Sequence, residues 1–77
     1  MMTASDIGQA VRRARKAMGL RQEELAAAAG VGLRFLVELE RGKPTAQLGR
    51  ALAVLAAVGL DVKIIARLPE PHPGPSS

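Results

Sequence analysis

Glycine punctuates this chain. Gly19, Gly30, Gly42 and Gly59 each follow a stretch whose apolar residues recur at helical spacing. Glycine reaches the left-handed backbone region without steric cost, which makes it the common residue just past a helix end. Stops this close together allow only short helices joined by tight turns. With 77 residues there is room for one domain, and a core of that size is marginal enough that association with a second copy is expected to add burial.

The first helix is expected to begin at a Ser5 or Asp6 cap and run to about Met18, with Ile7, Val11, Ala14 and Met18 on one face and Gln9, Arg12, Arg13 and Lys16 largely on the others. An alanine-rich second helix is expected over residues 22–29, and a third over residues 33–41 with Leu36 and Leu39 in the core. Thr45 is a suitable N-cap for a fourth helix over residues 46–58, whose stripe reads Leu48, Leu52, Leu55 and Val58. The period then changes. Leu60, Val62, Ile64 and Ala66 alternate with Asp61, Lys63, Ile65 and Arg67, which predicts a strand over residues 60–67. Four of the five prolines fall in residues 69–77, a segment too poor in apolar residues to bury a core and expected to be disordered. The domain is therefore read as residues 1–68, followed by a proline-rich tail.

Eleven Lys and Arg against seven Asp and Glu give a net charge of +4, a balance that suits polyanionic partners as well as simple solubility. The chain has no cysteine, and its N-terminal residues lack the basic start and apolar stretch of a secretory signal. No apolar run approaches the length of a membrane span, so a cytoplasmic, nucleoid-associated protein is expected. Phe35 is the single aromatic residue, too few to stack the bases of a single strand. Nothing suggests catalysis. His72 lies in the proline-rich tail, Glu23 and Glu24 are adjacent on a helix and point apart, and no metal-ligand cluster or phosphate-cradling glycine motif is present, so no cofactor is expected.

The second and third helices are joined only by Gly30-Val31-Gly32. A tight glycine-containing connection between short helices is the geometry of a DNA-binding helix-turn-helix, in which the second helix enters the major groove. The run Arg15-x-x-x-Gly19-x-x-Gln22-x-x-Leu25-Ala26-x-x-x-Gly30-Val31, followed by Leu36-x-x-Leu39-Glu40-Arg41-Gly42, closely resembles the Cro/C1-type (XRE) family of phage and bacterial repressors, over roughly residues 6–60. The resemblance implies an all-α, lambda-repressor-like domain of four or more helices that binds double-stranded DNA.

It also implies roles for individual residues. Arg15 pairs with Glu40 and ties the first helix to the end of the recognition helix, an architectural ion pair. Gln22 meets a phosphate at the start of the second helix, or is an ordinary exposed helix-start residue. The recognition helix presents Gly32, Leu33, Arg34, Val37 and Glu38 to the DNA, with Gly32 against the backbone. Arg34 is the strongest base reader, because its guanidinium fork matches guanine O6 and N7. Leu33 and Val37 either touch thymine methyls or simply pack, and Phe35 is expected to pack. Family members usually place several polar side chains here, so specificity with one strong reader is expected to be modest or partly indirect. Arg12, Arg13, Arg21, Arg41, Lys43 and Arg50 are candidate phosphate contacts, with Thr45 and Gln47 as neutral donors.

A lone strand after four helices leaves backbone groups and an apolar face without partners. Two copies pairing antiparallel across a two-fold axis would bury Leu60, Val62 and Ile64 and fix the half-site spacing of a palindromic operator; docking on another protein's sheet edge is the alternative. The residues from Gly30 to Phe35 and from Leu39 to Thr45, with Gln47-Leu48-Gly49 and Gly59-Leu60-Asp61-Val62, resemble the HipB-like antitoxins. That likeness implies a homodimer, repression of its own operon and a HipA-like serine/threonine kinase toxin as partner, with the tail either touching the toxin or idle. A stand-alone repressor and an interaction module that no longer binds DNA are the competing readings.

Overall fold

Each helix begins and ends for a local reason. The computed structural model describes residues 2–66, and among them it forms four helices and no strand: α1 (Ala4–Ala17), α2 (Gln22–Ala29), α3 (Leu33–Glu40) and α4 (Leu48–Ala57). Thr3, not Ser5 or Asp6, caps α1. Its hydroxyl accepts from the Asp6 amide at 3.1 Å, and the Asp6 carboxylate accepts from the Thr3 amide at 3.0 Å. This reciprocal box satisfies two orphan donors at once, which neither Ser5 nor Asp6 achieves as the cap. Met18 is the C-cap and Gly19 turns the chain at φ 72°. Gly8, Val11 and Arg15 are the buried positions of α1, and Met18, expected on that face, is about half exposed because the helix ends before its turn is covered.

The α2–α3 connection follows from its glycines. Gly30 ends α2 in the left-handed region, and the Val31 amide reaches back to the Ala26 carbonyl at 3.0 Å. Gly32 then supplies the extended N-cap of α3. The third helix stops one residue short of the expected Arg41, which is its C-cap.

Two expectations about α4 are corrected. Thr45 and Ala46 stay in the loop, Ala46 packing against the core, so Gln47 is the N-cap and makes no side-chain capping bond. The buried stripe is Ala51, Val54, Leu55 and Val58, while Leu48 and Leu52 are exposed. The helix is apolar nearly all round, so two stripes satisfied the 3.6-residue period, and packing against α2 chose between them.

Val11, Leu25, Leu36 and Val54 are fully buried, one from each helix, and they form the centre of the core. The first helix packs on α3, and α2 packs on both α3 and α4. After Gly59, the Leu60 amide bonds the Leu55 carbonyl at 2.9 Å and its side chain rests on the core. Residues 61–66 are exposed and belong to no helix or ladder. A strand exists only beside another strand, and the described residues of one chain offer none; Arg67 and the tail at residues 69–77 lie outside the described residues. Among the described residues, no helix is long and apolar enough to cross a membrane.

Candidate nucleic-acid interface

The face of α3 turned from the core carries Leu33, Arg34, Val37 and Glu38. Residues 33 and 37, and 34 and 38, are one turn apart, so the four form a contiguous patch. Leu33 is 48% exposed and the Arg34 side chain 91% exposed, whereas Val37 and Glu38 are half-buried. Phe35 is half-buried and packs against the core, with Leu36 and Leu39 beneath.

Glu38 is the acidic member of this patch and it has two cationic partners. Lys43 Nζ donates to Glu38 Oε1 at 3.0 Å, and Arg34 Nε approaches Glu38 Oε2 at 3.4 Å. The Lys43 hydrogen bond, more than Arg34, holds the Glu38 carboxyl below its ordinary pKa, so it is ionised at neutral pH. Arg34 and Lys43 thus reach solvent partly neutralised by one carboxylate.

Beside this patch, Arg12 of α1, Gln22 of α2, Val37 of α3 and Arg41 line one open cleft of about 360 Å³, with Arg15 and Glu40 forming its base. The base is a hydrogen-bonded network. Arg15 donates through Nε to Glu40 Oε2 at 2.7 Å and through NH2 to Glu40 Oε1 at 3.0 Å, a bidentate pair, and through NH1 to the Leu20 carbonyl at 2.9 Å. Gln22 Nε2 donates to Glu40 Oε1 at 3.1 Å. Glu40 therefore joins α1, the start of α2 and the end of α3. Its bonds raise the Arg15 pKa further above an already high value, despite the opposing effect of burial, and the guanidinium stays charged. Among the described residues no buried side-chain polar atom lacks a partner.

Three of the candidate phosphate contacts, Arg12, Gln22 and Arg41, therefore converge on one cleft. One of the two Gln22 amide hydrogens is engaged by Glu40. Arg13 is exposed on α1 but does not line the cleft, and Arg21 is exposed and lies 3.7 Å from Glu24. Lys43 is paired with Glu38. Thr45, Gln47 and Arg50 are exposed around the start of α4, outside the cleft.

Two contributors escaped sequence reasoning. The Gln22–Glu40 bond spans 18 positions and leaves no local signal. Gly8 lies inside α1, where a Cβ would sit 2.7 Å from the Glu40 carbonyl oxygen and closer still to that of Leu39. Only glycine lets α1 approach the end of α3 this closely, and that approach brings Arg15 to Glu40. A glycine inside an otherwise sound helical pattern was its available signal.

Four short helices, a three-residue turn and an exposed α3 face beside a cationic cleft define a helix-turn-helix protein. Residues 11–65 match the helix-turn-helix family HTH_3, of Cro/C1 (XRE) type. The chain belongs to this family of DNA-binding transcriptional regulators. It is also 58% identical over 64 residues, covering 83% of this chain and 84% of the relative, to the uncharacterized HTH-type transcriptional regulator y4mF of Sinorhizobium fredii.

Proposed function

We propose that the protein is a sequence-specific repressor that binds a palindromic operator as a homodimer, with α3 in the major groove. The observation that carries this reading is the Leu33–Arg34–Val37–Glu38 face, turned from the core and lying next to the Arg12–Gln22–Arg41 cleft. In this reading Arg34 reads guanine and Leu33 and Val37 meet thymine methyls. Glu38 faces the groove, where its carboxylate can accept from a cytosine amino group. Arg12, Gln22 and Arg41 hold phosphate, and the partly positive start of α2 favours that anion. Gly32, Arg13, Arg21, Lys43, Thr45 and Gln47 extend the backbone contacts. Residues 1–68 act as the binding and dimerising unit, with Leu60, Val62 and Ile64 at the two-fold axis, and the protein works in the cytoplasm on nucleoid DNA.

The test is a gel-shift titration on the DNA upstream of the gene against scrambled DNA, at two salt concentrations. Tight, salt-sensitive and operator-selective binding supports the repressor, and weak binding indifferent to sequence refutes it. Arg34→Ala should cost about 1–3 kcal/mol on the operator and relax the preference at one base pair. An unchanged ratio of operator to random binding removes Arg34 from the readers.

The finer assignment is an antitoxin of HipBA type that represses its own operon and binds a HipA-like serine/threonine kinase toxin. Its support is the resemblance carried by residues 30–35, 39–45, 47–49 and 59–62. Co-purification with the product of an adjacent kinase-like reading frame, and relief of that product's toxicity, is the expected result. A gene with no such neighbour would leave the stand-alone repressor.

A further inference from the structure

We propose that residues 60–64 pair antiparallel with the same residues of a second copy in one register, centred on Val62, and that the partner's Ile64 enters an apolar cleft beside Leu60. The inference rests on the homodimer reading above and fixes what that reading leaves open, namely which residue faces which.

The sequence around the centre allows few choices. In an antiparallel pair related by a two-fold axis, directly opposed side chains lie on the same face of the ribbon. An axis passing between two residues would set the charged positions of one strand against the apolar positions of the other, since Leu60, Val62 and Ile64 alternate with Asp61 and Lys63. An axis through Asp61 or Lys63 would set that charge against its own copy. An axis through Ile64 would leave Lys63 opposite Ile65. Centring on Val62 avoids each conflict. Asp61 then faces the partner's Lys63, twice by symmetry; Leu60 faces Ile64, twice; and Val62 faces itself.

The structure leaves these groups available. Among the described residues neither Asp61 nor Lys63 makes an ion pair. Ile64 is 96% exposed and Val62 56% exposed, a poor arrangement for two β-branched residues in a lone chain. Leu60, by contrast, is half-buried, and with Met2, Ile7, Ala10, Leu55 and the chain's own residues 61–63 it lines an open, largely apolar cleft of about 300 Å³. The register that opposes Leu60 to Ile64 delivers the partner's most exposed apolar side chain to that cleft. Charge complementarity and the apolar cleft thus select the same occupant, a second copy of this chain.

The experiment measures the dimer dissociation constant of the full chain by sedimentation equilibrium, for wild type, Asp61→Lys, Lys63→Asp and the double variant. Each single reversal turns two attractive cross-strand pairs repulsive and should raise the dissociation constant about tenfold or more; the double variant should restore it. In parallel, a short bis-thiol cross-linker should join Val62→Cys into a covalent dimer and spare Ile64→Cys, whose copies lie about 13 Å apart along the ribbon. A wild-type dimer that is indifferent to the charge reversals, or that cross-links through position 64 and not 62, overturns the register while leaving the dimer intact. A wild-type chain that stays monomeric across the concentration range overturns the dimer reading itself.

Discussion

Alanine placed at Gly8 and at Gly49 should change stability in opposite directions. Both glycines lie within helices and neither has a positive φ, so in each case alanine gains up to about 1 kcal/mol of helix propensity. At Gly49 a Cβ meets nothing within 4 Å. The gain there should appear almost unopposed, reduced somewhat by its place in the first turn of α4. At Gly8 the Cβ would fall 2.7 Å from the Glu40 carbonyl oxygen and 2.9 Å from its carbon, with the Leu39 oxygen nearer still. These are backbone atoms, so no side-chain rotation relieves the overlap and α1 must move away from α3. Overpacking of this kind costs about 1–3 kcal/mol. The displacement also lengthens the Arg15–Glu40 bonds, adding to the cost, so Gly8→Ala should be a net loss of about 1–2 kcal/mol.

In a domain of this size each kcal/mol corresponds to roughly 4–8 °C in Tm. Thermal melts followed by circular dichroism should therefore place Gly8→Ala about 5–15 °C below wild type, and Gly49→Ala slightly above it. Operator binding measured at a temperature where Gly8→Ala is still folded should also weaken, because the moved element is the end of the recognition helix. A Gly8→Ala protein melting at or above wild type would refute the argument that contact between α1 and α3 is limited by this residue.

Three other outcomes follow from the site. Arg15→Met and Glu40→Gln should each cost about 3–5 kcal/mol in urea unfolding, because each strands a buried polar partner, while the double variant should cost clearly less than their sum; additivity would show that the pair is not coupled. Glu38 has a folded pKa lowered from an ordinary value of 4.5 by Lys43 and, less, by Arg34, so the stability its pairs supply is present above about pH 4.5 and is lost as pH falls through the lower folded pKa. The Tm difference between wild type and Glu38→Gln should accordingly shrink in acid, and a difference independent of pH would mean the pairs do not stabilise the fold. Arg12→Ala should weaken binding to operator and random DNA alike and reduce the salt slope by about one, and a slope unchanged on both DNAs would take Arg12 out of the interface.

Where local chemistry decides the structure, the sequence could be read closely. Residues 22–29 form a helix as the alanine content required, and Gly30 and Gly32 make the turn that aims α3. The Thr3-x-x-Asp6 box is present in the sequence, but Ser5 and Asp6 offer competing acceptors nearer the periodic run, and only the folded geometry selects Thr3 as the cap. In α4 the pattern itself was ambiguous: Leu-Ala-Val-Leu-Ala-Ala is apolar on every side, and only the position of α2 makes Val54 internal and Leu52 external. The contact of Arg15 with Glu40 spans 25 positions and has no periodic signature; resemblance to a family suggested it and geometry gives its bidentate form. The alternation after Gly59 is plain in the sequence, yet a ladder is a property of two strands, so one chain leaves residues 61–66 without regular structure.

The Glu40 network bears on how so small a protein can hold a recognition helix still. Among the described residues four large side chains are fully buried, one per helix, and a core of that size resists tilting of any single helix weakly. Hydrogen bonds to Glu40 from Arg15 and Gln22, with the Arg15 bond to the Leu20 carbonyl, constrain the same angle by direction rather than by bulk. They fix the end of α3 to α1 and to the start of α2, and so set the angle at which the Leu33–Glu38 face of α3 meets the groove in the proposed complex while the start of α2 meets the adjacent phosphate. A charged, directional tie is costly to bury and gives less net stability than apolar packing of equal volume. Its advantage is that it tolerates little rotation. Val37 and Arg41 line the same cleft as Arg12 of α1, so a shift of α3 would displace a candidate base contact and a candidate phosphate contact together, relative to Arg12. On this argument, loss of Gln22's bond to Glu40 should impair operator discrimination more than it impairs folding, since the core remains while the angle of the recognition helix is freed.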